Sequence, residues 1–211
     1  NEGDHRKAIA ALVGLARVSG KDESHRKSTD PKPDPALQER MLSALRTIDW
    51  SRLSLRDRLD LLRAYSLTFI RMGRPDDAAR QQLAAKFEPL LPTQNRDLNI
   101  QLANLLVYLQ APNAAPKIMA LLRNATTQEE QIEYILAVRV LKTGWTIPLR
   151  EEYFRWFVTK GASFRGGNTF ARALNTIKAD AEETLRDDER TALKAVLEAR
   201  PERKSPMELL G

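Results

Sequence analysis

Apolar residues recur at intervals of three and four along most of the chain, and no window alternates apolar with polar long enough to predict a strand. The spacing predicts a helix over 5–18, with Ile9, Leu12, Val13 and Ala16 on one face and Gly20 as its stop. Residues 21–35, KDESHRKSTDPKPDP, lose this period; charged and punctuated by proline, they read as an irregular loop. Helices follow over 35–47, 54–73 and 76–88. Ser54, with Asp57 three residues on, has the form of a capping box. Leu55, Leu59, Leu62, Phe69 and Ile70 are expected to form the buried stripe of that helix, which Gly73 ends, while Pro75 opens the next.

From Asn95 the pattern repeats. Leu98, Leu102, Leu105, Leu106 and Leu109 mark one helix, Ala111-Pro112-Asn113 a turn, and Ile118, Leu121 and Leu122 its return. Thr127 and Glu130 form a second capping box before a helix running to 143, whose Ile132, Ile135, Leu136, Val138, Val140 and Leu141 leave little polar face. Gly144 ends it, and Pro148 restarts a helix with Leu149, Tyr153, Phe154 and Phe157 inward. After Gly166-Gly167 comes a third pair, with Phe170, Ala173, Leu174, Ile177, Ala181 and Leu185 on one helix and Leu193, Val196 and Leu197 on the next. The period is roughly 32 to 36 residues, short of the HEAT value of about 40 to 47 but within the helical-pair class. The expected fold is all-α, a HEAT-like α-solenoid of antiparallel helix pairs. Residues 1–20 would be a helix of a preceding repeat, 21–35 a loop, 36–200 the repeat domain, and 201–211 a tail or linker to a further domain.

Composition narrows the chemistry. The chain of 211 residues has no cysteine and two histidines, His5 and His25, both near its start. Disulfides, thiolate nucleophiles, Cys-ligated zinc and covalent haem have no ligands here, and a Ser-His-Asp triad has no histidine in the helical body. The expectation is a non-enzyme without catalytic residue, metal or cofactor of its own. No run reaches the roughly 18 apolar residues a membrane span needs. The net charge of +6 divides into 34 basic and 28 acidic side chains, a solvated surface more than a nucleic-acid arm. Residues 51–90 hold eight basic against five acidic groups and 145–180 six against three, while 181–211 are net acidic.

Trp145, Arg150, Tyr153, Arg155 and Trp156 combine aromatic faces with guanidinium groups, a set suited to a sugar, an acidic partner or a nucleic acid. The stronger expectation is that the aromatics fill the groove between repeats while Arg150 and Arg155 face solvent. Arg165-Gly166-Gly167-Asn168-Thr169 precedes a helix start, where free N–H groups can hold an anion; the favoured reading is a tight turn with Asn168 or Thr169 as N-cap. The surface-binding candidates are therefore Arg150, Arg155, Trp156, Arg165 and Asn168. Paired acids such as Glu151-Glu152 and Asp187-Asp188 read as solvated helix starts, since adjacent helical residues diverge by about 100°. Arg139, among Val138, Val140 and Leu141, calls for an acidic partner on another helix.

Three stretches carry more than a generic pattern: LNIQLANLLVYLQAP at 98–112, TQEEQIEYILAVRVLKTGWTIPLREEYFRWF at 127–157, and FRGGNTFARALNTIKADA at 164–181. Over about residues 37–200 the chain resembles the helical-repeat region of large planctomycete-type exported proteins. In these a propeller resembling sugar dehydrogenases precedes the repeats and a c-type haem domain follows them. The resemblance implies an extracytoplasmic scaffold or protein-interaction module within a haem-containing, dehydrogenase-like protein, its partners being neighbouring domains or another protein. It assigns no active-site residue here, because CxxCH and propeller strands are absent. A start inside a repeat and a stop at Gly211 agree with a piece of a longer polypeptide. The alternative is a HEAT-like nucleic-acid binder or DNA glycosylase with a basic concave face.

Overall fold

The computed structural model describes residues 2–21, 25–30 and 32–201, and among them every regular element is a helix. The protein is all-α. It divides into two compact units, residues 1–105 and 106–211. The expected tail at 201–211 lies, from residue 202 on, outside the described residues.

The first unit contains α1 (Glu2–Ser19), α2 (Pro35–Arg46), α3 (Leu55–Met72) and α4 (Asp77–Phe87), and the last three begin on side-chain caps. The side chains of Asp34, Ser54 and Asp76 accept from Ala36, Asp57 and Ala79 N–H, satisfying donors that the first helical turn leaves unpaired. Gly73, at φ 89, stops α3. Asp76 rather than Pro75 opens α4, so the proline sits before the cap instead of inside the first turn.

The direction of each helix follows from its end contacts. Gln38 Nε2 near the start of α2 donates to Gly73 O beyond the end of α3 (2.6 Å), so these two run antiparallel. Arg6 near the start of α1 meets Asp57 near the start of α3, and Arg71 Nη1 near the end of α3 donates to Gly20 O beyond the end of α1 (3.4 Å), so α1 and α3 run in the same sense. The buried stripe of α3 is Leu61, Leu62, Ala64, Tyr65, Thr68, Phe69 and Met72, with Tyr65 edge-on to Phe87 of α4. The expected Leu55 and Ile70 are instead about half exposed. Ile70 stands about 100° round the helix from Phe69, and Leu55 occupies the first helical position.

Helix α5 (Arg96–Tyr108) contains the division between the units and buries Leu98, Leu102, Leu105 and Leu106, as its pattern predicts. The second unit continues with α6 (Ala114–Asn124), α7 (Gln128–Val138), α8 (Ile147–Val158), the short α9 (Lys160–Ser163), α10 (Phe170–Glu182), α11 (Asp187–Ala192) and α12 (Lys194–Glu198). Helix α7 stops at Val138 rather than 143, and Val140 is 43% exposed, so this segment is not buried all round. The final expected helix is two short pieces meeting at Leu193.

In the second unit α6 and α8 run in the same sense, as do α7 and α10, which are separated in the chain by α8 and the single turn α9. Gly144, before α8, lies against Pro112 O, before α6. Gln128 at the start of α7 bonds the backbone of Arg165 ahead of α10, while Arg139 just past α7 pairs with Asp180 near the end of α10 (2.9 Å). That last bond supplies the partner on another helix that Arg139 requires. Helices α5 and α7 begin at 96 and 128, and α6 and α8 at 114 and 147, within the 32 to 36 residues read from the apolar pattern, whereas α7 and α10 (128 and 170) and α8 and α11 (147 and 187) are spaced more widely.

Candidate functional site

Helix α8 interleaves aromatic and basic residues, Arg150, Tyr153, Phe154, Arg155, Trp156 and Phe157. Tyr153, Phe154, Trp156 and Phe157 are all buried, with Tyr153 edge-on to Trp145, Phe154 and Phe157 at centroid distances of 5.7, 5.2 and 5.4 Å. Burial pushes the Tyr153 phenol up from its ordinary pKa, and its hydroxyl donates to Ile135 O (3.1 Å). The ring is thus fixed in its neutral form between α7 and α8.

Arg150 corrects the sequence expectation most sharply. Its side chain is 3% exposed, not solvent-facing. Nε donates to Glu189 Oε1 (3.0 Å), Nη1 to Thr184 Oγ1 (3.0 Å), and the guanidinium lies 5.0 Å from the Trp145 ring centroid. Glu189 is equally buried and also accepts from Arg186 N–H through Oε2 (3.0 Å). Burial lowers the Arg150 pKa and the Glu189 carboxylate opposes that shift. An arginine so deeply seated joins helices and presents no fork to a ligand.

Trp156 is also a correction to the surface-binding set. It is 5% exposed, its Nε1 donates to Gln131 Oε1 (2.8 Å), and Gln131 Nε2 donates to Ala125 O (3.0 Å). Gly161 lies against its ring: a Cβ there would come within 2.6 Å of the indole. With Trp156 covered and Trp145 half-buried, the pair makes no open stacking platform.

Arg155 is exposed, as expected, and pairs with Glu151 one turn back. With Trp156 it lines a shallow groove between the ends of α6 and α8, about 150 Å³, whose rim includes Arg123, Glu152 and Lys160. Arg123 grips Glu152 with two bonds of 2.8 and 2.9 Å, which raise the arginine pKa.

Arg165 and Asn168 are exposed on the turn before α10. Arg165 N–H donates to Gln128 Oε1 and Gln128 Nε2 donates back to Arg165 O (3.1 and 2.7 Å). Thr169 occupies the N-cap without a side-chain bond, and Phe170 N–H closes the turn onto Gly167 O (2.9 Å). The tight-turn reading therefore describes this loop, although the side-chain cap expected from Asn168 or Thr169 does not form.

The apolar pattern left two features unread. Glutamine amides repeatedly join helix ends: besides Gln38, Gln128 and Gln131, Gln110 donates to Val140 O (3.0 Å) and accepts from Lys142 N–H (2.8 Å). A larger groove, about 230 Å³, runs between α1 and α3, with Ile9, Ala10 and Val13 among its lining and Arg6, Arg17, Asp57, Asp60 and Arg63 around them. Charged residues at i and i+11 flanking apolar ones at i+4 and i+7 on one helix face were the available signal, in Arg6, Ala10, Val13 and Arg17.

Among the described residues no group of three or more His, Asp or Glu is placed to hold a metal ion, and no helix is long and apolar enough to cross a membrane. Set against family models, curated proteins and solved structures, the chain finds no match in any of the three.

Proposed function

We propose that this chain is a non-catalytic HEAT-like helical-repeat module, an α-solenoid of antiparallel pairs that scaffolds or binds proteins. The observation that carries this reading is that α1 with α3 in the first unit, and α6 with α8 and α7 with α10 in the second, run in the same sense and are tied near their ends, while α2 runs against α3. That is the geometry by which stacked repeats share a core while leaving long surfaces for partners. Arg150 and Glu152 of α8 are engaged with other helices, through Glu189 and Arg123, which supports a structural role for that face of the segment.

The resemblance of residues 98–112, 127–157 and 164–181 supports placing the module in a larger exported, haem-bearing, dehydrogenase-like protein, whose other domains would be its nearest partners. An antibody raised against this chain tests that context. Its antigen in the native source should be extracytoplasmic, migrate well above 23.9 kDa and carry haem stain. A haem-free antigen at the mass of this chain alone overturns it. Titration of the purified chain with duplex DNA tests the module itself: binding that weakens steeply with salt would replace protein scaffolding by nucleic-acid recognition.

A further inference from the structure

The two grooves differ in how their charges are satisfied. Around the α6–α8 groove, Arg123 is held by Glu152 and Arg155 by Glu151. Along the α1–α3 groove, Arg6 and Asp57 pair at 3.1 Å, but Arg17 and Arg63 have no ion-pair partner among the described residues. Both are exposed, beside a floor that includes buried Ile9 and half-buried Val13. Since α1 and α3 run in the same sense, with Arg6 level with Asp57 and Gly20 level with Arg71, the register sets Asp60 beside Ile9 and Ala10. Arg63 then lies level with Leu12, and Arg17 five residues further along on the opposite wall, both lining the groove.

We infer that the α1–α3 groove docks a peptide segment of a partner protein that carries a single carboxylate beside aliphatic side chains. The aliphatic groups cover the Ile9–Val13 floor, and the carboxylate lies between the Arg17 and Arg63 guanidinium groups, whose planar donor forks match it. A volume of about 230 Å³ holds a few side chains, not a folded domain. A nucleic-acid backbone, with a negative charge at every step, would meet Asp60 on the same wall, so a polyanion fits worse than one isolated carboxylate. This assignment rests on the interaction-module reading and gives it a site.

The test is NMR titration of the full chain with N-acetyl-Leu-Glu-Leu-amide, against the same peptide with Gln for Glu. Saturable shifts are expected at backbone amides 9–17 and 60–67 and at the Arg17 and Arg63 Nε–H signals. Arg17→Gln with Arg63→Gln should weaken binding about tenfold, as loss of charge-assisted bonds to one carboxylate does, and the Gln peptide should lose as much. Arg40→Gln, an exposed arginine on α2, should change nothing. Shifts scattered over the surface, equal binding of both peptides, or stronger displacement of the same signals by duplex DNA overturn the site. Circular dichroism and sedimentation on the same samples separate the two failures: a helical monomer that ignores the peptide refutes the groove alone, while strand signal refutes the helical module beneath it.

Discussion

Arg150 Nε lies 3.0 Å from Glu189 Oε1, and each side chain is 3% exposed. Such a pair gains little over an apolar contact of equal shape, yet removing one member strands a desolvated charge. Glu189→Leu is expected to cost about 3–5 kcal/mol in urea unfolding. Arg150→Met combined with Glu189→Leu should recover much of that loss. Equal destabilisation by single and double replacement would show that packing, not the unpaired charge, dominates.

Gly144 and Gly73 both have positive φ, 73° and 89°, but only Gly144 is crowded. A Cβ at Gly73 meets nothing within 4 Å, whereas at Gly144 it would collide with Pro112 O. Gly73→Ala should lower stability by about 1–3 kcal/mol for its backbone conformation alone. Gly144→Ala should cost more, because the carbonyl it meets belongs to a turn that must move. Thermal unfolding of the two variants side by side measures the difference, and equal losses would contradict it.

Gly161→Ala should destabilise by about 1–3 kcal/mol, since its Cβ would lie 2.6 Å from the Trp156 ring in a packed site. Tryptophan fluorescence offers a second readout. Displacing the indole from Gln131 should shift its emission to the red; unchanged emission and stability would place the ring elsewhere.

Asp57 gives a pH signature. Hydrogen bonds from Arg6 and Ser54 hold its carboxyl below the usual value of 3.8, with burial opposing them. The folded pKa is depressed, so the stabilisation is present above the unfolded pKa of about 3.9 and is lost as pH falls through the folded value. The stability gap between the native chain and Asp57→Asn should therefore be constant near neutrality and close in acid. A gap that widens on acidification would reverse the sign.

Helix starts were legible because caps are local: Ser54 and Thr127 accept from Asp57 and Glu130 N–H at 3.2 Å each. The α8 core was legible as well, through Tyr153, Phe154 and Phe157. Arg150 was misjudged by charge although its position three residues before Tyr153 and four before Phe154 puts it on the same face. What sequence could not supply was Glu189, a partner distant in the chain that makes such burial tolerable. The missed α1–α3 groove has the same origin, because its walls are separated in the chain by everything from 20 to 54, α2 included.

The glutamine links between helix ends have an evolutionary consequence. Gln38, Gln110, Gln128 and Gln131 each bond backbone atoms, of Gly73, Val140 and Lys142, Arg165, and Ala125 in turn. A carbonyl accepts whatever side chain its residue carries. One half of each link is therefore indifferent to substitution, and the helices can remain joined while the residues around their ends drift.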